Sequence, residues 1–105
     1  LIGHSNGGDM TMLFATKYPH LINKAISMDH RRMIMPRTEK PRLYTLRGCD
    51  YDADSGVLPT EKEQEQFRMK VVKLDGITHS NMGENGTEEQ HRLINQSIYG
   101  FLTQE

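Results

Sequence analysis

A serine lies between glycines in residues 3–8, which read G-H-S-N-G-G and follow an apolar pair. A serine hydroxyl is a weak nucleophile at neutral pH, so it needs a base to take its proton and N–H donors to hold the oxyanion that forms. The G-x-S-x-G spacing is typical of a strained turn between a strand and a helix, where Gly3 and Gly7 are expected to remove bulk and Ser5 to protrude. The backbone N–H of Asn6, at the helix start, is then expected to stabilise the oxyanion.

The base is expected at His79, one of five histidines. It lies in a loop between the last predicted strand and the last predicted helix. The chain order serine, acid, histidine is typical of one of the known arrangements of the catalytic triad. The other histidines lie in the turn, after a helix-ending proline, in a short connection and within a helix: His4, His20, His30 and His91.

The acid is expected in the acidic loop that follows the predicted strand 42–47, which contains Asp50, Asp52 and Asp54. One carboxylate is enough, because it only orients the imidazole and stabilises its charged form. At least two of the three must therefore be ordinary solvated loop residues.

The surrounding pattern predicts alternating strands and helices. Residues 1–2 end a buried strand, and an amphipathic helix is predicted from Asp9, because apolar residues fall at helical spacing at Met10, Leu13, Phe14 and Tyr18. Apolar runs predict strands at 24–29, 42–47 and 70–74. Pairs with capping-box spacing, Thr60 with Glu63 and Thr87 with Gln90, predict the starts of two more helices. The apolar side of the last helix is expected at Leu93, Ile94, Ile98, Phe101 and Leu102.

This alternation predicts an α/β fold with a parallel sheet flanked by helices. The 105 residues suffice for one small domain, and no linker or internal repeat divides them. The chain opens directly on the strand end, without an initiator methionine, so we expect its start to be a cut inside a larger protein.

At this point the sequence resembles the α/β-hydrolase superfamily, over essentially its whole length. Residues 3–8 look like the family's nucleophile elbow, the loop after strand 42–47 like the one that bears the acid, and His79 like its base. Asp54 begins a run, 54–59, similar to one that often carries the family's carboxylate, which favours Asp54, with Asp50 as the alternative and Asp52 third. The resemblance implies that the chain is the C-terminal part of the fold, and that earlier strands and a second oxyanion donor would precede Leu1.

The resemblance also bears on the substrate. Many members of the family insert a lid at the position of residues 30–41, which is too short here for a large one. An open site favours soluble esters over the substrates of an interfacial lipase. A serine nucleophile disfavours the branches in which an aspartate attacks, whereas peptidase and thioesterase activities stay open.

Composition limits the partners. The chain has 13 Lys and Arg against 14 Asp and Glu, a formal net charge of −1, so nothing attracts it strongly to nucleic acid or to an acidic membrane. No apolar run is long enough to span a membrane, and no secretory or transit pattern is present at the start of the sequence. The localisation stays unknown, with the cytoplasm favoured. The single cysteine, Cys49, excludes an intrachain disulfide and a cysteine metal cluster. No cofactor is expected.

Two functions of different classes follow. The first is a serine hydrolase that acts on a carboxylic ester or a related small-molecule acyl substrate through an acyl-enzyme. The alternative is a catalytically incomplete, hydrolase-like binding or assembly module, in which the strand at Leu1 is an exposed sheet edge that pairs with another chain.

Overall fold

Four parallel strands form the centre of the protein in a computed structural model, which describes residues 1–104. The strands are β1 (Ile2–His4), β2 (Lys24–Met28), β3 (Arg42–Arg47) and β4 (Lys70–Lys73), and their order in the sheet is the same as their order along the chain. Ile2 lies opposite Ile26, Ile26 opposite Tyr44, and Tyr44 opposite Lys70. The predicted α/β class with a parallel sheet is confirmed.

Three helices connect and follow the strands: α1 (Asn6–Lys17), α2 (Glu61–Phe67) and α3 (Glu88–Thr103). Short 3-10 turns at Pro19–Leu21 and Ser80–Met82 complete the regular structure of residues 1–104. Both predicted capping boxes are confirmed, because the threonine before α2 and the one before α3 each exchange two hydrogen bonds with the third residue of the helix.

The two faces of the sheet carry separate cores, since successive side chains of a strand point to opposite sides. Ile26, Tyr44 and Leu46 pack under α3 against Ile94 and Phe101. The ring of Tyr44 stacks on that of Phe101, with centroids 4.6 Å apart. The opposite face packs under α1, and its buried members include Met12, Ala15, Ala25, Leu43 and Met69.

Helix α1 is present, but most of the apolar residues that predict it lie outside its buried face. Its buried residues are Gly8, Thr11, Met12 and Ala15, whereas Met10, Phe14 and Tyr18 are exposed. Small side chains let the helix lie close to the sheet, so the bulky apolar residues fall on the outer side. In α3, Ile94 and Phe101 are buried as expected and Ile98 packs against the core, whereas Leu93 and Leu102 are exposed.

Strand β1 is at the edge of the sheet and is not buried, contrary to expectation. Leu1 and Ile2 are 52% and 45% exposed, because only β2 pairs with this strand among the described residues. All four strands run in the same direction, so their carboxyl ends meet at one edge of the sheet. Ligands of open α/β sheets bind outside that edge, which makes it the place to look for a site.

Candidate active site

Ser5 follows β1 directly and is the N-cap residue of α1, with a backbone φ of 56° and ψ of −118°. Positive φ is rare for a residue with a side chain and costs about 1–3 kcal/mol in sparsely populated regions of this kind. The surrounding structure fixes the turn, because the N–H of Ser5 donates to the carbonyl of Met28 and its own carbonyl accepts from the N–H of Asp9. Ser5 thus has the strained strand-to-helix geometry that its motif predicts.

Gly3 and Gly8 make this turn sterically feasible, whereas the sequence motif predicts this role for Gly3 and Gly7. A Cβ on Gly3 would lie 2.1 Å from the carbonyl oxygen of Gly7, and one on Gly8 would lie 3.0 Å from the Cβ of His30. A Cβ on Gly7 would meet nothing within 4 Å. The expectation that Gly7 removes a clash was therefore wrong, because the close contact of helix and sheet occurs one residue later.

The imidazole of His79 lies between the serine and a buried carboxylate. Its Nε2 is 3.1 Å from Oγ of Ser5, and its Nδ1 is 3.0 Å from Oδ2 of Asp29. When Nδ1–H donates to the carboxylate, Nε2 carries a lone pair that can accept the proton of the serine hydroxyl. Three side chains that follow β1, β2 and β4 thus form one hydrogen-bonded line at the carboxyl edge of the sheet.

Asp29 occupies a fixed and solvent-free position directly after β2. Its side chain is fully buried, and its backbone has a φ of 57°. Oδ1 accepts a hydrogen bond of 2.7 Å from the N–H of Gly48 and lies 3.7 Å from Nε of Arg47, while Oδ2 faces His79. Both carboxylate oxygens therefore have donors, which is how a buried charge is stabilised.

The carboxylates expected to contact the imidazole do not do so. Asp54 pairs with Arg31, with Nε and Oδ1 3.6 Å apart, and its side chain is 59% exposed. Asp50 is exposed and accepts the backbone N–H of His79 at 2.9 Å rather than the ring. Asp52 is exposed as well. The structure corrects the position of the acid contact from the loop after β3 to the residue after β2.

A positional signal for Asp29 was present in the sequence. It is the first residue after a predicted inner strand, and in a parallel sheet that position lies at the same edge as the serine turn. The signal is weak, because the apolar run 24–29 includes Asp29 as the end of a predicted strand, whereas the acidic loop after β3 contains three carboxylates. The strand order explains why Asp29 makes the contact: β2 lies next to β1, so the residue after β2 is close to the serine turn after β1.

A buried polar layer lies behind Asp29. Oγ of Ser27 is 2.6 Å from both Nδ1 of His30 and Oγ1 of Thr45, and Thr45 accepts a hydrogen bond of 3.2 Å from Arg47. The pKa of His30 is lowered to about 4, chiefly by burial and then by the positive charge of Arg47, whereas Asp9 and a backbone hydrogen bond with Met33 act in the opposite direction. Burial also lowers the pKa of the Arg47 guanidinium, against the effect of nearby Asp29. His30 is therefore neutral in the folded protein at pH 7.

The remaining site predictions concern Asn6 and the other histidines. Asn6 is the first residue of α1, and the first N–H groups of a helix have no partner within it, so its amide is available to an anion. His4 places Nε2 3.1 Å from the carbonyl of His79, whereas His91 bonds to the carbonyl of Gly83 and His20 is exposed.

An open cleft of about 450 Å³ lies beside the serine turn, in the size range of small-molecule sites. It is lined by residues of α1 and of the connection after β2: Asn6, Asp9, Met10, Leu13, Arg32 and Met33. A larger depression of about 520 Å³ lies on the outer side of α3 and includes none of the side chains around Ser5.

Comparisons of the chain with protein-family models, with curated proteins and with solved structures found no match. Within residues 1–104, no group of three or more histidine, cysteine or acidic side chains is arranged to hold a metal ion. No helix in this part of the chain has the length and apolar character needed to cross a membrane.

Proposed function

We propose that the chain carries the catalytic residues of a serine hydrolase of the α/β-hydrolase type that acts on a carboxylic ester or a related acyl substrate. The observation that supports this most strongly is the line from Ser5 through His79 to the buried Asp29, with contacts of 3.1 Å and 3.0 Å. A nucleophile, a base in hydrogen-bond reach and a third group that orients the base are the parts that such a reaction needs.

In the proposed reaction, Oγ of Ser5 attacks the acyl carbonyl carbon while its proton moves to Nε2 of His79. The tetrahedral oxyanion accepts a hydrogen bond from the backbone N–H of Asn6 at the positive end of α1. Collapse breaks the bond to the alcohol, which leaves with the proton from His79. Water then attacks the acyl-enzyme, His79 takes its proton, and the acid is released as Ser5 regains its hydrogen. Asp29 stays ionised and orients the imidazole.

The open surroundings of Ser5 favour a small, soluble substrate. The connection 30–41 contains no helix or strand that could cover the site. The cleft beside Asn6 presents Met10, Leu13 and Met33, and flexible apolar side chains of this kind accommodate acyl groups of different shape. We therefore assign the acyl group, rather than the alcohol, to this cleft.

Hydrolysis of p-nitrophenyl acetate and butyrate by the purified chain tests the proposal. An acyl-enzyme mechanism predicts a burst of about one nitrophenol per chain, followed by slower turnover. Ser5→Ala removes the burst, whereas Ser80→Ala, which changes an exposed serine next to His79, preserves it. A folded chain without a burst, or a burst that survives Ser5→Ala, contradicts the proposal.

The alternative function, a binding or assembly module, has one supporting observation. β1 is an edge strand that contains the exposed Ile2 and directly follows the exposed Leu1. Unprotected edges of this kind pair with other chains. A dimer in light scattering that dissociates in Ile2→Lys, with no burst on either ester, favours this function over catalysis.

A further inference from the structure

The segment 48–51, which follows β3, contacts two members of the proposed triad. Its first residue, Gly48, donates its N–H to Asp29, and the carboxylate of Asp50 accepts the backbone N–H of His79 at 2.9 Å. A Cβ on Gly48 would lie 2.7 Å from Oδ2 of Asp29, so any side chain at this position would clash with the carboxylate. The segment thus holds both the acid and the main chain of the base.

Tyr51 ends this segment with its ring against the face of the imidazole. The centroids of Tyr51 and His79 are 3.8 Å apart, and the ring planes differ by 21°. The opposite side of the imidazole is approached by His4, whose ring centroid is 5.0 Å away at a tilt of 36°. The two ring nitrogens are engaged by Ser5 and Asp29, and of the two faces of the imidazole the one toward Tyr51 is covered by a closely stacked π-system.

The charge that forms on His79 is the reason this contact matters. An imidazolium is produced when the serine gives up its proton, and a cation over an aromatic face within about 6 Å of its centroid is stabilised by the ring quadrupole. Four titratable residues contact His79 directly: His4, Asp29, Asp50 and Tyr51. A fifth charged residue, Arg47, acts on His79 through its ion pair with Asp29. Among them, Tyr51 alone stacks face to face on the imidazole.

We infer that Tyr51 is a positioning residue of the proposed hydrolase, and that its ring stacks on His79, fixes the plane of the imidazole and stabilises the imidazolium. The inference rests on the proposed function and goes beyond it, because a triad needs no aromatic partner for its base. Nothing in the contact requires the phenol hydroxyl, so phenylalanine can replace tyrosine in this role, whereas an aliphatic side chain cannot.

The test is the rate of covalent labelling by an alkyl fluorophosphonate as a function of pH, measured for the wild type, Tyr51→Phe and Tyr51→Leu. Tyr99→Leu is the matched control, because Tyr99 is 70% exposed on α3. Loss of the stack is expected to lower the plateau rate about fivefold. It also moves the half-maximal pH downward, because a less stable imidazolium gives up its proton at lower pH. Tyr51→Phe and Tyr99→Leu keep both values.

A second readout does not depend on reactivity. The ring protons of His79 are followed by NMR over the same pH range, and their pH-dependent transition is expected at lower pH in Tyr51→Leu than in the wild type or Tyr51→Phe. Labelling of the wild type with identical pH profiles and NMR transitions in all variants overturns the role of Tyr51 and leaves the proposed hydrolase intact. A wild type that does not label contradicts the hydrolase, whereas the NMR comparison still decides whether the stack stabilises the charged ring.

Discussion

The carboxylate of Asp29 and the imidazole of His79 meet at 3.0 Å although the residues are 50 positions apart in the chain. β2 delivers the first and the loop after β4 the second, and parallel pairing brings both to the edge of the sheet where Ser5 protrudes. The proposed triad keeps the order serine, acid, histidine, but its carboxylate follows β2 and not β3, where the acidic loop lies. The three residues therefore depend on strand order more than on any local motif.

Substitution of the acid separates Asp29 from the loop aspartates. Asp29→Asn is expected to lower kcat for ester hydrolysis by about 10³–10⁴-fold, because the amide no longer favours the tautomer that accepts the serine proton. Asp54→Asn, which removes only an exposed ion pair with Arg31, is expected to leave kcat within about twofold. Equal loss in the two variants, or loss only in Asp54→Asn, contradicts the assignment of the acid.

The helix starts and the serine turn could be predicted from the sequence, whereas the contact of Asp29 with His79 could not. The capping boxes at Thr60 and Thr87 are local hydrogen-bond patterns, so the starts of α2 and α3 could be derived from four side chains. The turn around Ser5 is likewise encoded within a few residues. The contact of Asp29 with His79 depends on which strand lies next to β1, and sequence spacing carries no information on that.

The orientation of α1 also depends on tertiary contacts. Met10, Phe14 and Tyr18 have the spacing of a buried face, yet they are exposed, and the small residues Gly8 and Ala15 face the sheet instead. At Gly8 the helix lies so close to the sheet that a Cβ would be 3.0 Å from the Cβ of His30, which requires a small residue on this side. This tertiary contact is absent from the apolar spacing of the helix, so the spacing alone does not identify the buried face.

The two glycines of the serine motif are expected to differ in their tolerance of alanine. Gly3→Ala places a methyl group 2.1 Å from a carbonyl oxygen, and we expect a loss of about 1–3 kcal/mol in the free energy of unfolding. Gly7→Ala meets no atom within 4 Å in a helix, so stability is expected to stay constant or to rise by up to about 1 kcal/mol. Urea titrations of both variants measure the difference, and an equal loss in both argues against the described turn.

His30 is expected to make stability depend on pH. Its pKa falls from 6.5 to about 4 on folding, so between these values the unfolded chain binds more protons than the folded one, and stability rises with pH. The free energy of unfolding is therefore highest above pH 6.5, and protonation of His30 in the unfolded chain lowers it by about 3 kcal/mol as the pH falls to 4. His30→Gln is expected to flatten the unfolding free energy over this range, whereas the exposed His20→Gln keeps the slope of the wild type. Parallel pH profiles for the wild type and His30→Gln contradict a buried neutral imidazole.

Two arginine–aspartate pairs offer a matched test of burial. Arg47 and Asp29 are 6% and 0% exposed, so Arg47→Met leaves a buried carboxylate short of a cation and is expected to cost about 3 kcal/mol of stability. Arg31 and Asp54 are 39% and 59% exposed, and Arg31→Met is expected to cost at most about 1 kcal/mol. Thermal unfolding at pH 7 compares them, and a larger effect of Arg31→Met is inconsistent with the buried layer behind the acid.

The most direct test of the proposed triad is the site of reaction with an alkyl fluorophosphonate, located by intact mass and peptide mapping. The proposed triad predicts one phosphonyl adduct per chain, on Ser5, that persists in Ser80→Ala and is absent from Ser5→Ala and His79→Gln. An unlabelled chain that is folded by circular dichroism, or an adduct on any other serine, contradicts it.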